Sequence, residues 1–289
     1  MRIGCMLYGR NEEKTLPRTL ATLINQGFDY IIYVDDCSRD NSIKIAEKFG
    51  LIVVKRTIPH KSYVGKALLS KVVNEGITEI YHLPRPKYFM ITGCDIRLSA
   101  DYTHTIIERM ERDPLLVIAS GKIENEKTTF SSPRGAGRIY RFTFWDQYLK
   151  TFPLSYTWES YPVYLALSMG YKTRSFSDVQ MVTSRPTTPY KAGYGYAMGE
   201  LGYSRIYALA RCLFAVFQDR RTGVTMLKAY LFSGLPVFNE DVARWIKRYQ
   251  ITTIFQSLKA KLASASRSGG EPPAITSRIT LANRAAPPR

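Results

Sequence analysis

Asp29-Tyr30-Ile31-Ile32-Tyr33-Val34-Asp35-Asp36-Cys37-Ser38-Arg39-Asp40-Asn41-Ser42 is the stretch on which the fold turns. Its first half is a short apolar run rich in β-branched and aromatic residues, the pattern of a buried strand. Its second half breaks into turn and capping residues, so carboxylates stand at the strand's carboxyl end. The surrounding sequence repeats this order of events. Upstream, residues 2–8 read as a first buried strand, and Leu16, Leu20, Leu23 and Ile24 recur at helical spacing with Pro17 in the first turn. Downstream come a helix near 41–49, a strand at 51–55, a helix near 64–75 and a strand at 87–92. Strands alternating with helices at this spacing imply βαβ units and a mostly parallel sheet flanked by helices, an α/β fold. Ligands of such sheets sit at the carboxyl ends of the strands, near a topological switch point.

Three loops end at that edge. The first, Tyr8-Gly9-Arg10-Asn11-Glu12-Glu13, has no GxGxxG, which argues against a dinucleotide at this turn. Its carboxylates can accept hydrogen bonds from a base or ribose, while Asn11 also suits a cap of the following helix. The second loop offers Asp36 for the N–H edge of a nucleobase, and Asp40 through Ser42 for capping and turn chemistry. The third, Gly93-Cys94-Asp95-Ile96, places a hard carboxylate where it can hold Mg²⁺ or Mn²⁺ against a diphosphate. Further on, Glu159 in Tyr156-Thr157-Trp158-Glu159-Ser160 precedes a helical run and is a candidate base. The loop Ser132-Pro133-Arg134-Gly135-Ala136-Gly137-Arg138 is flexible and basic, and Arg134 and Arg138 can meet phosphate or solvent.

Taken as an ordered set, these segments resemble glycosyltransferase family 2. Asn11-Glu12-Glu13 is similar to the family's Asn-Glu-Glu, Asp35 through Ser42 to Asp-Asp-x-Ser-x-Asp-x-Ser, and Gly93-Cys94-Asp95 to Asp-x-Asp. Gly65-Lys66-Ala67 looks like the Gly-x-Ala that opens the helix before the metal strand, and Trp158-Glu159 like the family's acid/base motif. The resemblance covers about residues 1–200. It implies a GT-A fold and inverting transfer from a UDP- or GDP-linked sugar, with nucleotide-sugar contacts from Tyr8, Asn11, Glu12, Asp36, Lys66 and Asp95. It further implies Mn²⁺ or Mg²⁺ on Asp95, Glu159 as the base, and Arg134 and Arg138 on the acceptor or phosphate side. Two positions depart from the family. Gly93 replaces the first Asp, and Met181-Val182-Thr183-Ser184-Arg185 stands where a His often follows the last strand. His60, His82 and His104 read as surface or packing residues. A module of the same fold that binds a nucleotide or polyanion without turnover is the alternative, and Gly93 and Thr183 favour it.

The 289 residues suffice for one sizeable core and a smaller appendage, and the composition, 45% hydrophobic and 22% charged, is that of a globular protein. Cys5, Cys37, Cys94 and Cys212 are widely spaced, which argues against a disulfide framework or structural zinc and fits a reducing cytoplasm. The N-terminal apolar run is too short for a signal-peptide core, and no run is long enough to span a bilayer. A net charge of +17 predicts attraction to polyanions. Nucleic acid is the poor candidate, because no nucleic-acid module is recognisable and the motif carboxylates would repel phosphates. The domains expected are 1–202 (catalytic), 203–263 (an amphipathic helical extension) and 264–289 (a disordered basic tail). In the extension, Tyr203–Phe217 and Val224–Phe238 are apolar and aromatic. A helix follows with Val242, Trp245, Ile246 and Tyr249 on one side and Arg244, Lys247 and Arg248 on others. Such helices suit either packing on the catalytic domain or an anionic membrane surface. The second reading places the protein peripherally on the inner face of the cell membrane, acting on a glycan or lipid-phosphate acceptor.

Overall fold

The structure, a computed structural model, describes residues 1–57, 63, 66–126, 131–185, 193–233 and 238–265, with side chains described as far as 252. It divides into two compact units, Met1–Pro189 and Tyr190–Arg289.

In the first unit the strands β1 (Ile3–Gly9), β2 (Tyr30–Asp35), β3 (Ile52–Lys55) and β4 (Tyr88–Gly93) run parallel. They alternate with helices α1 (Leu16–Leu23), α2 (Ser42–Lys48) and α3 (Leu69–His82). The chain continues through β5 (Ile96–Leu98), α4 (Tyr102–Arg112), β6 (Leu116–Ile123), β7 (Arg138–Arg141), α5 (Phe142–Tyr148), α6 (Tyr161–Ser168) and β8 (Lys172–Thr183). Among the described residues, all eight strands form one sheet in the order β3-β2-β1-β4-β7-β6-β8-β5. β7 is antiparallel to β4 and β6, and β5 to β8, so those two run against the other six. β1 is flanked by β2 on one side and β4 on the other. The switch point therefore falls at its carboxyl end.

Both faces of the sheet are buried, which is why its strands read as continuous apolar runs. Successive side chains alternate between two cores. Cys5, Leu7, Tyr33, Tyr88 and Met90 pack with Leu16, Leu20 and Leu23 of α1 and with α4. Met6, Ile32, Val34, Phe89 and Ile91 pack with Val72, Val73 and Ile77 of α3 and with Trp145 of α5. Ile24, expected on the apolar stripe of α1, is instead half exposed beyond the helix end. The third helix begins later than expected, at Leu69, since Lys66 to Leu68 form a turn. It then runs on to His82 because Ile77 and Ile80 extend its buried face.

In the second unit, α7 (Gly193–Glu200), α8 (Arg205–Gln218), α9 (Arg220–Leu231) and α10 (Glu240–Ala265) follow in order. The unit begins ahead of the boundary expected at 202/203 because α7 belongs with the later helices. Gly195 backs directly onto Met226 O and Ala229 of α9. On α8 the usual distribution is reversed: Ala208, Cys212 and Ala215 are buried, while Ile206, Leu213, Phe214 and Phe217 face outward. The small residues allow Gly223 of α9 to reach the α8 backbone at Ala215 and Val216. α10 behaves conventionally, burying Val242 and Ile246 and stacking Trp245 on Tyr249 at 5.1 Å. The expected basic tail at 264–289 lies almost wholly outside the described residues.

Two predictions follow from the packing of the first unit. The buried Tyr102 hydroxyl accepts from Gly121 N–H at 2.7 Å and donates to Gly137 C=O at 2.8 Å. Tyr102→Phe keeps the ring but orphans both backbone groups, so chemical denaturation should show a loss of about 1–3 kcal/mol. An unchanged unfolding midpoint would refute this pairing. At the surface, Arg109 grips Asp178 through two bonds of 2.9 and 2.5 Å and lowers its carboxyl from 3.8 to about 2. A depressed carboxyl stabilises the fold above its unfolded value and loses that contribution as pH falls from 3.8 towards 2. Because the pair is solvent-screened, Asp178→Asn should cost under ~1 kcal/mol at neutral pH and nothing near pH 2, as melting curves at the two pH values would reveal.

Candidate active site

The site is held together by two interlocked loops. Asn11, after β1, and Cys37, after β2, both have left-handed backbones (φ 56° and 60°), which turn the two loops towards each other. Three consecutive N–H groups of the first loop are then taken by side chains of the second. Asn11 N–H donates to Ser38 Oγ at 2.9 Å, Glu12 N–H to Ser42 Oγ at 2.7 Å and Glu13 N–H to Asp40 Oδ2 at 3.0 Å. The exchange is reciprocal, since Arg39 N–H donates to Asn11 Oδ1 at 2.8 Å and Asn41 N–H to Glu13 Oε2 at 3.1 Å. Asn11 is thus a strut between loops and not the cap of α1, whose N-cap is Thr15. Asp40 also accepts from Ser42 N–H at the start of α2.

This clasp fixes the acids beside it. Glu12 is 5% exposed and accepts from Thr15 Oγ1 at 2.5 Å. Asp36 is equally buried, its N–H bonded to Gly9 O at 2.9 Å. Its carboxylate pairs with Arg56 Nη1 at 2.6 Å, and Arg56 Nε reaches Glu75 of α3 at 2.7 Å. Asp35 is turned inward, accepting from Tyr33 Oη and Ser38 N–H. Gly9 is close-packed, for a side chain there would strike Cys94 Sγ and Glu12.

Asp95 stands between β4 and β5. Its Oδ2 accepts from Thr183 Oγ1 at 3.2 Å and lies 3.9 Å from Arg185 Nε, whose Nη2 bonds Glu12. Gly93 supplies no ligand here, so a divalent ion held on Asp95 would complete its shell from the donor's phosphate oxygens and water. A Cβ there would sit 2.8 Å from Asp95 Oδ1, so Asp95 already covers the space from which a second carboxylate would project. Burial, then Glu12 and Asp95, push the Cys94 thiol well above its usual value. Among the described residues no cluster of three or more His, Cys, Asp and Glu side chains could hold a metal. His82 and His104 lie exposed on helices, and His60 falls outside the described residues.

Trp158 anchors the turn before α6, packing edge-on against Phe152 at 5.0 Å and Tyr8 at 6.4 Å. That anchor leaves the next residue, Glu159, exposed. Its carboxylate occupies the space over Gly135 that any larger residue would fill. Burial, reinforced by Glu159 and Asp95, raises the Tyr8 phenol and keeps it neutral, which places all three in one electrostatic neighbourhood.

Arg138 neither floats in a flexible loop nor faces solvent; it is 4% exposed. Its guanidinium donates to Pro133 O, Arg134 O, Glu159 O and Tyr140 Oη, clamping the loop to the Glu159 turn. Burial alone would lower its pKa, but Tyr140 and Glu159 more than compensate and it stays charged. Arg134 pairs with Glu126 at 2.7 Å. Lys66 is exposed in the turn before α3, its N–H on Tyr63 O, while Gly65 lies outside the described residues. The sequence reading passed over Arg56 and Arg185. The available signal was position, since each follows the carboxyl end of a strand whose neighbours carry acids.

No curated protein matches the chain significantly. Among solved structures, TarS from S. aureus (residues 1–349) is similar with a TM-score of 0.52 at 14% identity, over 80% of this chain and 71% of that one. The mannosyltransferase PcManGT from Pyrobaculum calidifontis, solved with GDP-Man and Mn²⁺, gives 0.55 at 14% identity, over 93% and 81%. At such identities the likeness speaks for the fold. The model of the family described as glycosyl transferase family 2 matches residues 9–164, more than half of the 289 residues and the span that carries the clasp, Asp95 and Glu159. The chain belongs to glycosyl transferase family 2 and is a glycosyltransferase built on a GT-A fold.

Proposed function

We propose that this enzyme transfers a hexosyl unit, with inversion, from a nucleoside-diphosphate sugar to a lipid-linked acceptor at an anionic membrane surface. The observation that supports the reading is that Arg185 brings together Glu12 and Asp95 from two separate loops, beside the clasp whose second loop carries Asp36. Tyr8, Asn11 and Asp36 would form the base and ribose end, with Glu12, Asp95 and Lys66 towards the diphosphate and Arg134 on the acceptor side. Arg138, with its donors taken by carbonyl groups, acts by positioning the Glu159 turn. The mannosyltransferase of similar fold was solved with a GDP-linked sugar, which supports a donor of that class. It also holds Mn²⁺, and Asp95 is the residue of this chain that would hold such an ion, which would supply positive charge to the departing diphosphate.

In a single displacement, the acceptor oxygen attacks the anomeric carbon as the bond from that carbon to the phosphate oxygen breaks. The electron pair leaves with the nucleoside diphosphate, and Glu159 takes the hydroxyl proton. Glu159→Gln should keep nucleoside diphosphate binding and lose about 10²-fold or more in transfer, as donor-panel assays would measure. A phosphate acceptor needs no base, and in that case the loss would stay under about tenfold. Full activity in the variant would remove Glu159 from the chemistry.

The membrane part rests on the outward apolar face of α8 and α9. Ile206 is 80% exposed, Phe217 86% and Phe232 80%, with Leu213, Phe214 and Leu231 between them. The same two helices expose Arg205, Arg211, Arg220, Arg221 and Lys228. Apolar residues beside cations suit the boundary between headgroups and acyl chains. Among the described residues no helix is long and apolar enough to cross a membrane, so attachment would be peripheral. Each cation near an anionic surface contributes on the order of 1 kcal/mol, and salt screens it. The enzyme should therefore bind phosphatidylserine-containing vesicles and not neutral ones, with release at high salt. Ile206→Ser with Phe217→Ser should weaken binding about tenfold or more. Equal binding to neutral and anionic vesicles would refute the electrostatic part.

A further inference from the structure

Arg185 follows directly on β8, where a short turn sets its direction. Its N–H donates to Thr183 Oγ1 at 3.2 Å, and that hydroxyl donates to Asp95 Oδ2 at 3.2 Å. From this turn the guanidinium lies against two carboxylates from other loops, with Nη2 on Glu12 and Nε 3.9 Å from Asp95. The exposures are graded. The side chain of Glu12 is 6% accessible and that of Asp95 17%, whereas Arg185 is 55% accessible. The cation thus lies over the carboxylates at the mouth of the site, and an anion entering from solvent meets the guanidinium first. The edge bearing Nε and Nη2 faces the acids, which leaves the Nη1 side for an incoming group.

We propose that Arg185 is the diphosphate-binding cation of this enzyme. Resting on the nucleotide-sugar reading above, it assigns a fixed protein charge to the phosphates of the bound donor. A guanidinium is permanently charged, and its planar fork matches phosphate oxygens in pairs. As the anomeric carbon–oxygen bond breaks, the electron pair collects on the phosphate oxygen, and hydrogen bonds from Arg185 disperse that charge. Glu12 and Asp95 are then positioning residues that hold the fork in place before the donor arrives.

The test is calorimetry of UDP and GDP binding to the full chain in EDTA. One of the two should bind without metal. Arg185→Ala should weaken it by about tenfold or more, the loss expected of a charge-assisted hydrogen bond, while uridine or guanosine affinity stays nearly constant. Removing the cation strands the buried Glu12, so Arg185→Lys guards against misfolding. It keeps the charge without the fork and should bind with intermediate affinity. Binding that requires Mn²⁺ and is unchanged or tighter in both variants would overturn the role of Arg185 and leave the nucleotide reading intact. Failure of the wild type to bind either nucleotide, with or without Mn²⁺, would overturn both.

Discussion

The hydrogen-bonded clasp between the loops after β1 and β2 is the constraint on which the rest of the site depends. A parallel sheet delivers strand ends to a common edge but says nothing of how the loops beyond them are directed. Here the N–H groups of residues 11 to 13 are claimed in sequence by Ser38, Ser42 and Asp40. With those donors satisfied, the Glu12 side chain is fixed towards Asp95 and Arg185, and Asp36 towards Arg56. The regularity of the Asp-Asp-x-Ser-x-Asp-x-Ser run follows from this geometry. Its second Asp faces the crevice, and the alternate polar residues after it are occupied holding the neighbouring loop.

A crevice lined by so many acids must be electrically compensated, because a buried carboxylate without partners is costly. The compensation is graded by depth. Arg138, at the bottom, is consumed by carbonyl groups and serves geometry. Arg56 is shared between Asp36 and Glu75 along one wall. Arg185, at the mouth, remains half open to water. The three arginines share a charge and differ in freedom, and freedom separates a structural cation from one that can meet a ligand.

Much of this was legible in the sequence. The strands β1 to β4 are apolar because both faces of the sheet are covered, and the same burial makes them readable without any partner information. The edge on which chemistry would collect followed from their parallel order. The ion pairs were not legible, because Arg185 and Glu12 are separated by most of the first unit and nothing local marks either as the other's partner. The burial of Arg138 was hidden for a similar reason. Its acceptors are main-chain carbonyls, which every sequence possesses and none advertises. On α8 and α10 an apolar pattern could be recognised but not which of its sides would be covered. α10 buries Val242 and Ile246, whereas α8 buries Ala208, Cys212 and Ala215 and presents its phenylalanines.

That reversal on α8 ties the thermodynamics of the chain to its surroundings. Large side chains gain nothing from folding when they remain in water, so the native state is built with part of its apolar surface uncompensated. An amphiphile that covers Phe214 and Phe217 in the folded helix pair stabilises it to the extent that it binds the unfolded chain less well. By mass action it raises the apparent stability in proportion to the logarithm of its concentration. If a lipid surface covers this face, as proposed, melting temperatures measured in plain buffer and in the presence of bilayer describe two different equilibria.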